Sequence, residues 1–178
     1  MSKEKRIVLL SDTHGDLQND VLPYLQDCDE IWHAGDIGSL PLIDQLMALK
    51  PCRMVYGNID NAAIRSCVPL LQQFEVEGVK VCMTHIGGRP GKAPAAIHEL
   101  LEKERPNLFI CGHSHIALVQ FDAKNNLLWM NPGACGVKGF HTIRTIFRFD
   151  VAQGRCHSLE VIEFPRYPSQ SSSQESTA

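Results

Sequence analysis

The sequence predicts a mixed α/β domain, a four-layer α-β-β-α sandwich of two mixed sheets flanked by helices. Three features lead there. The first third alternates short apolar runs with amphipathic stretches, the pattern of βαβαβ units with parallel strands and right-handed crossovers. The last third carries runs that alternate apolar and polar residues, as antiparallel strands with one exposed face do. The chain has 178 residues and a hydrophobic fraction of 44%, enough for one domain with a substantial core.

Each element has a local reason. Ile7-Val8-Leu9-Leu10 is a continuous apolar run, the mark of a strand buried on both faces, and it stops at Ser11-Asp12. Leu17, Val21, Leu22 and Leu25 recur at helical spacing, so residues 17–26 are expected to be a helix. Residues 30–34 form the next strand, broken by Gly35-Asp36. Leu40, Ile43, Leu46, Met47 and Leu49 place an amphipathic helix over 40–49, and residues 53–56 form a third strand that ends at Gly57-Asn58. The pattern then changes. Residues 73–76 and 79–83 flank Glu77-Gly78, a hairpin signal. A helix over 94–104 leads to the apolar strand Leu108-Phe109-Ile110-Cys111, cut by Gly112-His113. Later strands turn at Lys124-Asn125-Asn126 and at Ala152-Gln153-Gly154. Residues 1–166 are read as the folded domain. Residues 167–178 have almost nothing apolar to bury and are expected to be a disordered tail.

Composition narrows the function classes. Net charge is -3, and no basic stripe is visible, which argues against a chain that wraps long nucleic acid. A small anionic substrate stays compatible if bound metals supply local positive charge. The seven cysteines are odd in number and contain no Cys-x-x-Cys, the usage of a reducing compartment. The N-terminal residues lead straight into a strand without a signal peptide or membrane span, so a cytoplasmic location is expected. A symmetric dimer is compatible with the sequence, but no surface for it can be named.

Five polar motifs stand where strands should end: Asp12-Thr13-His14, Gly35-Asp36-Ile37-Gly38, Gly57-Asn58-Ile59-Asp60, Thr84-His85 and Gly112-His113-Ser114-His115. Ligands of open α/β sheets bind beyond the carboxyl ends of the strands, so these distant residues can converge on one rim. Carboxylate, imidazole and amide oxygen suit Mn, Fe, Co, Ni or Zn. Taken singly, each residue has a bland reading. Asp12 and Asp36 could cap the helices that follow, Asn58 could be a turn residue, and His85 could be a satisfied core histidine. Asp60 could cap a helix or orient Asn58 or a ligand histidine from behind. All five motifs in order outweigh these readings. His33, His98, His141 and His157 fall outside the motifs and are not expected to be ligands.

The order Asp-x-His, Gly-Asp-x-x-Gly, Gly-Asn-x-Asp, Thr-His, Gly-His-x-His resembles the calcineurin-like metallophosphoesterases, most of all their small single-domain bacterial and archaeal phosphodiesterases. The resemblance spans residues 6–163. It implies two divalent ions per chain, Mn first, with Fe, Ni, Co or Zn as alternatives. Asp12, His14 and His115 would hold one ion, Asn58, His85 and His113 the other, and Asp36 would bridge them. Asp36, Asn58 and Asp60 are the implied catalytic set. The implied reaction is hydrolysis of a small phosphodiester by water acidified between the ions. Arg89 and Lys92, in a Gly-rich stretch beside His85, are candidate contacts for a substrate phosphate.

The chain departs from the family pattern at three places. Many relatives have a histidine after the Asn, which protonates the leaving group; here that residue is Ile59, so activated diesters should react best. The small relatives often have His-Gly-His where this chain has His85-Ile86-Gly87, and Asn-Pro-Gly-Ser where it has Asn131-Pro132-Gly133-Ala134. The rival readings are a phosphomonoesterase, a nuclease, or a non-catalytic scaffold on the same fold. The scaffold reading follows a retromer subunit that resembles this fold but has lost several of these histidines.

Overall fold

A computed structural model describes residues 4–167, so the expected tail beyond Tyr167 lies outside the described residues. The architecture is two five-stranded mixed sheets. The first contains β1 (Lys5–Leu10), β2 (Glu30–His33), β3 (Cys52–Met54), β9 (Ile143–Ala152) and β10 (Arg155–Pro165), in the order β10-β9-β1-β2-β3. The second contains β4 (Leu71–Val76), β5 (Val79–Thr84), β6 (Leu108–Ile110), β7 (Ala117–Asp122) and β8 (Leu127–Pro132), in the order β4-β5-β6-β8-β7. As the early alternation predicted, β1, β2 and β3 are parallel, while β9 and β10 join antiparallel.

Side-chain alternation builds the layers. Ile7 and Leu9 of β1 face the second sheet and meet Val81, Met83, Leu108 and Ile110 in the central core. Val8 and Leu10 face the other way, onto Leu25 of α1 (Leu22–Gln26), Leu42, Ile43 and Leu46 of α2 (Leu40–Leu49) and Ile64 of α3 (Ala62–Cys67). On the far side, Phe109 and Trp129 pack against Ile97 and Leu101 of α4 (Ala95–Glu104). A strand covered on both faces must be apolar at every position, which is why β1 reads as an unbroken run.

Three local details differ from the expectation. The helix expected over 17–26 is a 3-10 turn at Asn19–Val21 followed by five α-helical residues, with Pro23 in their first turn, where its missing N–H costs nothing. The third strand ends at Met54 because the Tyr56 N–H bonds Pro69 O, on the approach to β4, instead of a neighbouring strand. Helix α3 has only six residues, too short to leave a periodic signal. Among the described residues no helix is long and apolar enough to cross a membrane, and all seven cysteines are free thiols.

Candidate metal centre

The loops leaving β1 and β2 are laced together. The Asp12 N–H donates to Gly35 O and the His14 N–H to Asp36 O, each at 3.0 Å. Behind them His33 is fully buried, its Nδ1 accepting from the Gly35 N–H at 3.1 Å and its Nε2 lying 2.9 Å from Thr13 Oγ1. Burial pushes the His33 imidazole down to about 4, so it stays neutral in this role. Asp60 is likewise buried and accepts three backbone N–H bonds, from Ile37 at 3.1 Å, Gly38 at 2.7 Å and Gly57 at 2.8 Å. It fixes the loops carrying Asp36 and Asn58 to each other. It caps no helix: Asn61 caps α3, its side chain accepting from the Ile64 N–H. Nor does Asp12 or Asp36 cap a helix, since Ser39 serves α2. Of the residues implied to be catalytic, Asp60 is therefore placed as a support for the loop backbones.

These loops, with those after β5 and β6, bring six of the seven candidate ligands to one point. At this point two trios have ligand atoms mutually within 4.8 Å: Asp12, His14 and His115, and Asp12, Asp36 and His85. The two oxygens of Asp36 face one histidine of each half, Oδ1 lying 3.3 Å from His85 Nε2 and Oδ2 3.8 Å from His14 Nε2. Asn58 Oδ1 is 3.2 Å from His85 Nε2. His113 is placed differently. Its backbone N–H donates to Asp12 Oδ2 at 3.1 Å and its ring meets His85 edge-on at 5.3 Å, but its ring nitrogens are in neither trio.

Hydrogen bonding sets which nitrogen each ring presents. His85 Nδ1 lies 2.8 Å from Ala34 O, an acceptor only, so Nδ1 carries the proton. The neutral ring then turns a bare Nε2 toward Asn58 Oδ1 and the two carboxylates. His115 Nδ1 lies 3.3 Å from Nδ1 of His141, whose Nε2 donates to Gly136 O at 2.8 Å. In the neutral pair His141 Nδ1 must accept from His115, which leaves His115 Nε2 bare, 3.2 Å from Asp12 Oδ1 and 3.4 Å from His14 Nε2. The bare nitrogens of His85 and His115 thus converge with the Asp12 and Asp36 carboxylates on one point. Asp12 Oδ1 is one of two buried side-chain polar atoms without a hydrogen-bond partner among the described residues. A buried orphan of this kind is costly unless a cation meets it. The donor set and this orphaned oxygen fit divalent metal ions.

The electrostatics concentrate negative charge at the same point. Burial would raise the Asp12 carboxyl, but the His115 imidazole, with His85 and Ser11, outweighs it and holds the group below the usual range. Burial likewise opposes ionisation of Asp36, which His85, the Ile59 N–H and His14 overcome. Burial would lower the His85 imidazole, yet Asp36, Asp12 and Ala34 O draw it upward. The carboxylates take whatever positive charge the ring can offer.

Backbone geometry marks the same residues. Asp12, His14, Asp36, His113 and His115 all have positive φ, between 52° and 70°. A non-glycine residue in that region costs of order 1 kcal/mol, and five together are held only because the surrounding loops over-determine them. Close approach explains two glycines: a Cβ on Gly57 would overlap the Asp36 carboxylate, and one on Gly112 would overlap Ser11 Oγ.

Comparison with known proteins decides the family. Residues 6–154 match the model of the calcineurin-like phosphoesterase superfamily domain. The chain belongs to the calcineurin-like phosphoesterase superfamily. A "probable metallophosphoesterase" of Methanothermobacter thermautotrophicus is 27% identical over 134 residues, 72% of this chain and 76% of that one. Solved structures that share the fold include the following two. One, described as a novel archaeal phosphodiesterase, is 21% identical with a TM-score of 0.66, covering 89% of this chain and 99% of the other. The other is Vps29 of Chaetomium thermophilum, 13% identical with a TM-score of 0.71, covering 90% and 98%.

Against the calcineurin-like pattern, the departures acquire reasons. At position 87 a Cβ would lie 2.6 Å from Phe109 Cε1 and 2.7 Å from Cys111 Cβ, so this packing excludes the second imidazole common in small relatives. Asn131, first of Asn131-Pro132-Gly133-Ala134, donates to Gly112 O at 2.8 Å and to Ser114 Oγ at 3.1 Å, holding the turn that carries His113 and His115. Arg89 and Lys92 are exposed and line, with His113, Ser114 and Asn131, a cavity of about 400 Å³. His141 was missed by sequence reasoning. No motif contains it, and only the fold sets it against His115.

Proposed function

We propose that this chain is a dinuclear metal-dependent phosphodiesterase. The orphaned Asp12 Oδ1, facing bare imidazole nitrogens, is the observation that carries the reading. Asp12, His14 and His115 would hold one divalent ion, Asn58, His85 and His113 the other, with Asp36 between, and Mn is the first candidate. Bound there, such ions supply Lewis-acid neutralisation of a phosphate ester and acidify water at neutral pH. The chain's own residues do the rest. Asp60 and His33 hold the loops in place, and Ala34 O and His141 orient the His85 and His115 rings. Arg89 and Lys92 provide positive charge at the neighbouring cavity. Ile59, half-exposed after Asn58, offers no proton to a leaving group. Small diesters with stable leaving anions are therefore the proposed substrates.

Hydrolysis of bis(4-nitrophenyl) phosphate by Mn-loaded protein tests this. Asp36→Asn should lower kcat/KM by about 10³-fold or more. Full activity in that variant would place the chemistry elsewhere. The scaffold reading draws on the likeness to Vps29. Protein purified without chelator that holds almost no metal, and takes up none from added Mn, would favour it.

A further inference from the structure

A cavity of about 430 Å³ adjoins the metal centre on the Asn58 and His85 side. Tyr56, Arg65, Leu70 and Ile86 form the rest of the wall that matters here. Leu70 is 56% exposed and Ile86 47%, and Ile59, beside Asn58, is 45% exposed. Isolated apolar side chains in water are ordinary, but these gather around two candidate ligands. Arg65 is fixed among them. Its Nε donates to Asp60 O at 2.7 Å and its Nη2 to Asn58 O at 3.1 Å, while the guanidinium lies 5.0 Å from the centroid of the Tyr56 ring. Both bonds end on backbone carbonyls, so neither neutralises its charge.

We infer that this cavity binds an aromatic ester arm of the substrate, with Arg65, Tyr56, Leu70 and Ile86 as its specificity determinants. The inference rests on the phosphodiesterase reading and names the substrate class. An apolar wall rewards any hydrophobic group. A guanidinium held over Tyr56 rewards an aromatic ring further, since π faces attract a fixed cation and ring pairs gain from stacking, while an alkyl chain gains neither. Ile59 points the same way. With no proton donor beside Asn58, an aryl oxygen can depart as a stable anion where an alkyl oxygen cannot.

Calorimetric titration of Mn-loaded protein with phenyl-, cyclohexyl- and methylphosphonate reads the pocket without turnover. Phenylphosphonate should bind about tenfold more tightly than methylphosphonate and more tightly than cyclohexylphosphonate. Leu70→Ser and Ile86→Ser, both at exposed positions that tolerate a polar side chain, should bring the phenyl-to-methyl ratio close to one. Met47→Ser, on the exposed side of α2, should leave the ratio unchanged. Equal binding of phenyl- and methylphosphonate would overturn the pocket while leaving the metal centre standing. Cyclohexylphosphonate binding as well as the phenyl compound would overturn its aromatic character. No phosphonate binding, together with no diester hydrolysis, would overturn both proposals.

Discussion

The two ends of β1 and β2 both gather acidic side chains and treat them in opposite ways. At the amino end, Glu30 is held by Lys5 and by Arg53 at 2.8 Å, Asp150 by Arg6 at 3.1 Å, and Asp27 by Arg6 and Arg148 at 3.4 and 3.5 Å. Burial would raise the Glu30 carboxyl, but Lys5, Trp32 and Arg53 bring it down to about 2. At the carboxyl end, Asp12 and Asp36 meet no lysine or arginine among the described residues, but imidazoles and the backbone N–H groups of His113 and Ile59. Glu4, Asp150 and His157 could also be drawn as a metal trio, yet Arg6 already occupies Asp150 and Glu4 is exposed. What separates a metal centre from an acidic surface here is buried negative charge that the protein leaves without a cation of its own.

The largest contrast should come from neutralising one carboxylate at each end. Asp12→Asn should lower metal affinity at least about a hundredfold, read by metal content after gel filtration, because it replaces a ligand rather than a supporting group. Asp150→Asn should retain the wild-type metal content. Equal metal loss in both variants would erase the distinction.

His141 tests the supporting layer of the carboxyl end. His141→Phe keeps a ring against His115 but removes the acceptor for its Nδ1–H. Metal affinity should fall about 10–100-fold, as is usual when the partner of a ligating histidine is lost. His141→Gln, which restores an acceptor, should recover part of it. A purely structural role would show as reduced thermal stability with unchanged metal affinity.

Acid should strain the two ends over different ranges in chelator-treated protein. The folded His33 is lowered to about 4 against an ordinary 6.5, so its contribution is fully present above pH 6.5 and lost as pH falls through about 4. The full shift corresponds to about 3 kcal/mol. Glu30 is lowered to about 2 against an ordinary 4.5, so its contribution persists above pH 4.5 and disappears toward pH 2. Urea midpoints should therefore begin to fall below pH 6.5, and His33→Gln should flatten the part between 6.5 and 4. An unchanged profile in that variant would remove His33 from the account.

The smallest effect should come from the exposed rim of the amino end. Arg148 reaches Glu160 across β9 and β10, with that carboxylate side chain 53% exposed. Glu160→Gln should change unfolding free energy by less than about 1 kcal/mol, because solvent screens such a pair. A larger loss would mean that this end depends on a coupled charge network.

Much of this molecule was legible in the chain. The unbroken run Ile7-Val8-Leu9-Leu10 announced a strand covered on both faces, and the hairpin at Glu77-Gly78 formed, although it begins two residues earlier, at Leu71. The motif residues were nameable because each follows an apolar run that must end in a turn. The role of Asp60 was not nameable. A carboxylate after Gly-Asn reads equally as a helix cap or a support, and only the approach of Ile37 and Gly38 shows which N–H groups it serves. Helix α3 escaped because six residues cannot show a period of 3.6.

By itself, the sequence determined the layers and the identity of the candidate ligand-bearing loops, because burial periodicity and turn chemistry act over a few neighbouring residues. Tertiary structure alone decided that His141 orients His115, that Asp12 Oδ1 has no partner, and that position 87 has no room for a side chain. Those facts depend on distances between residues far apart along the chain, and packing, unlike local pattern, is set only when the whole fold has closed.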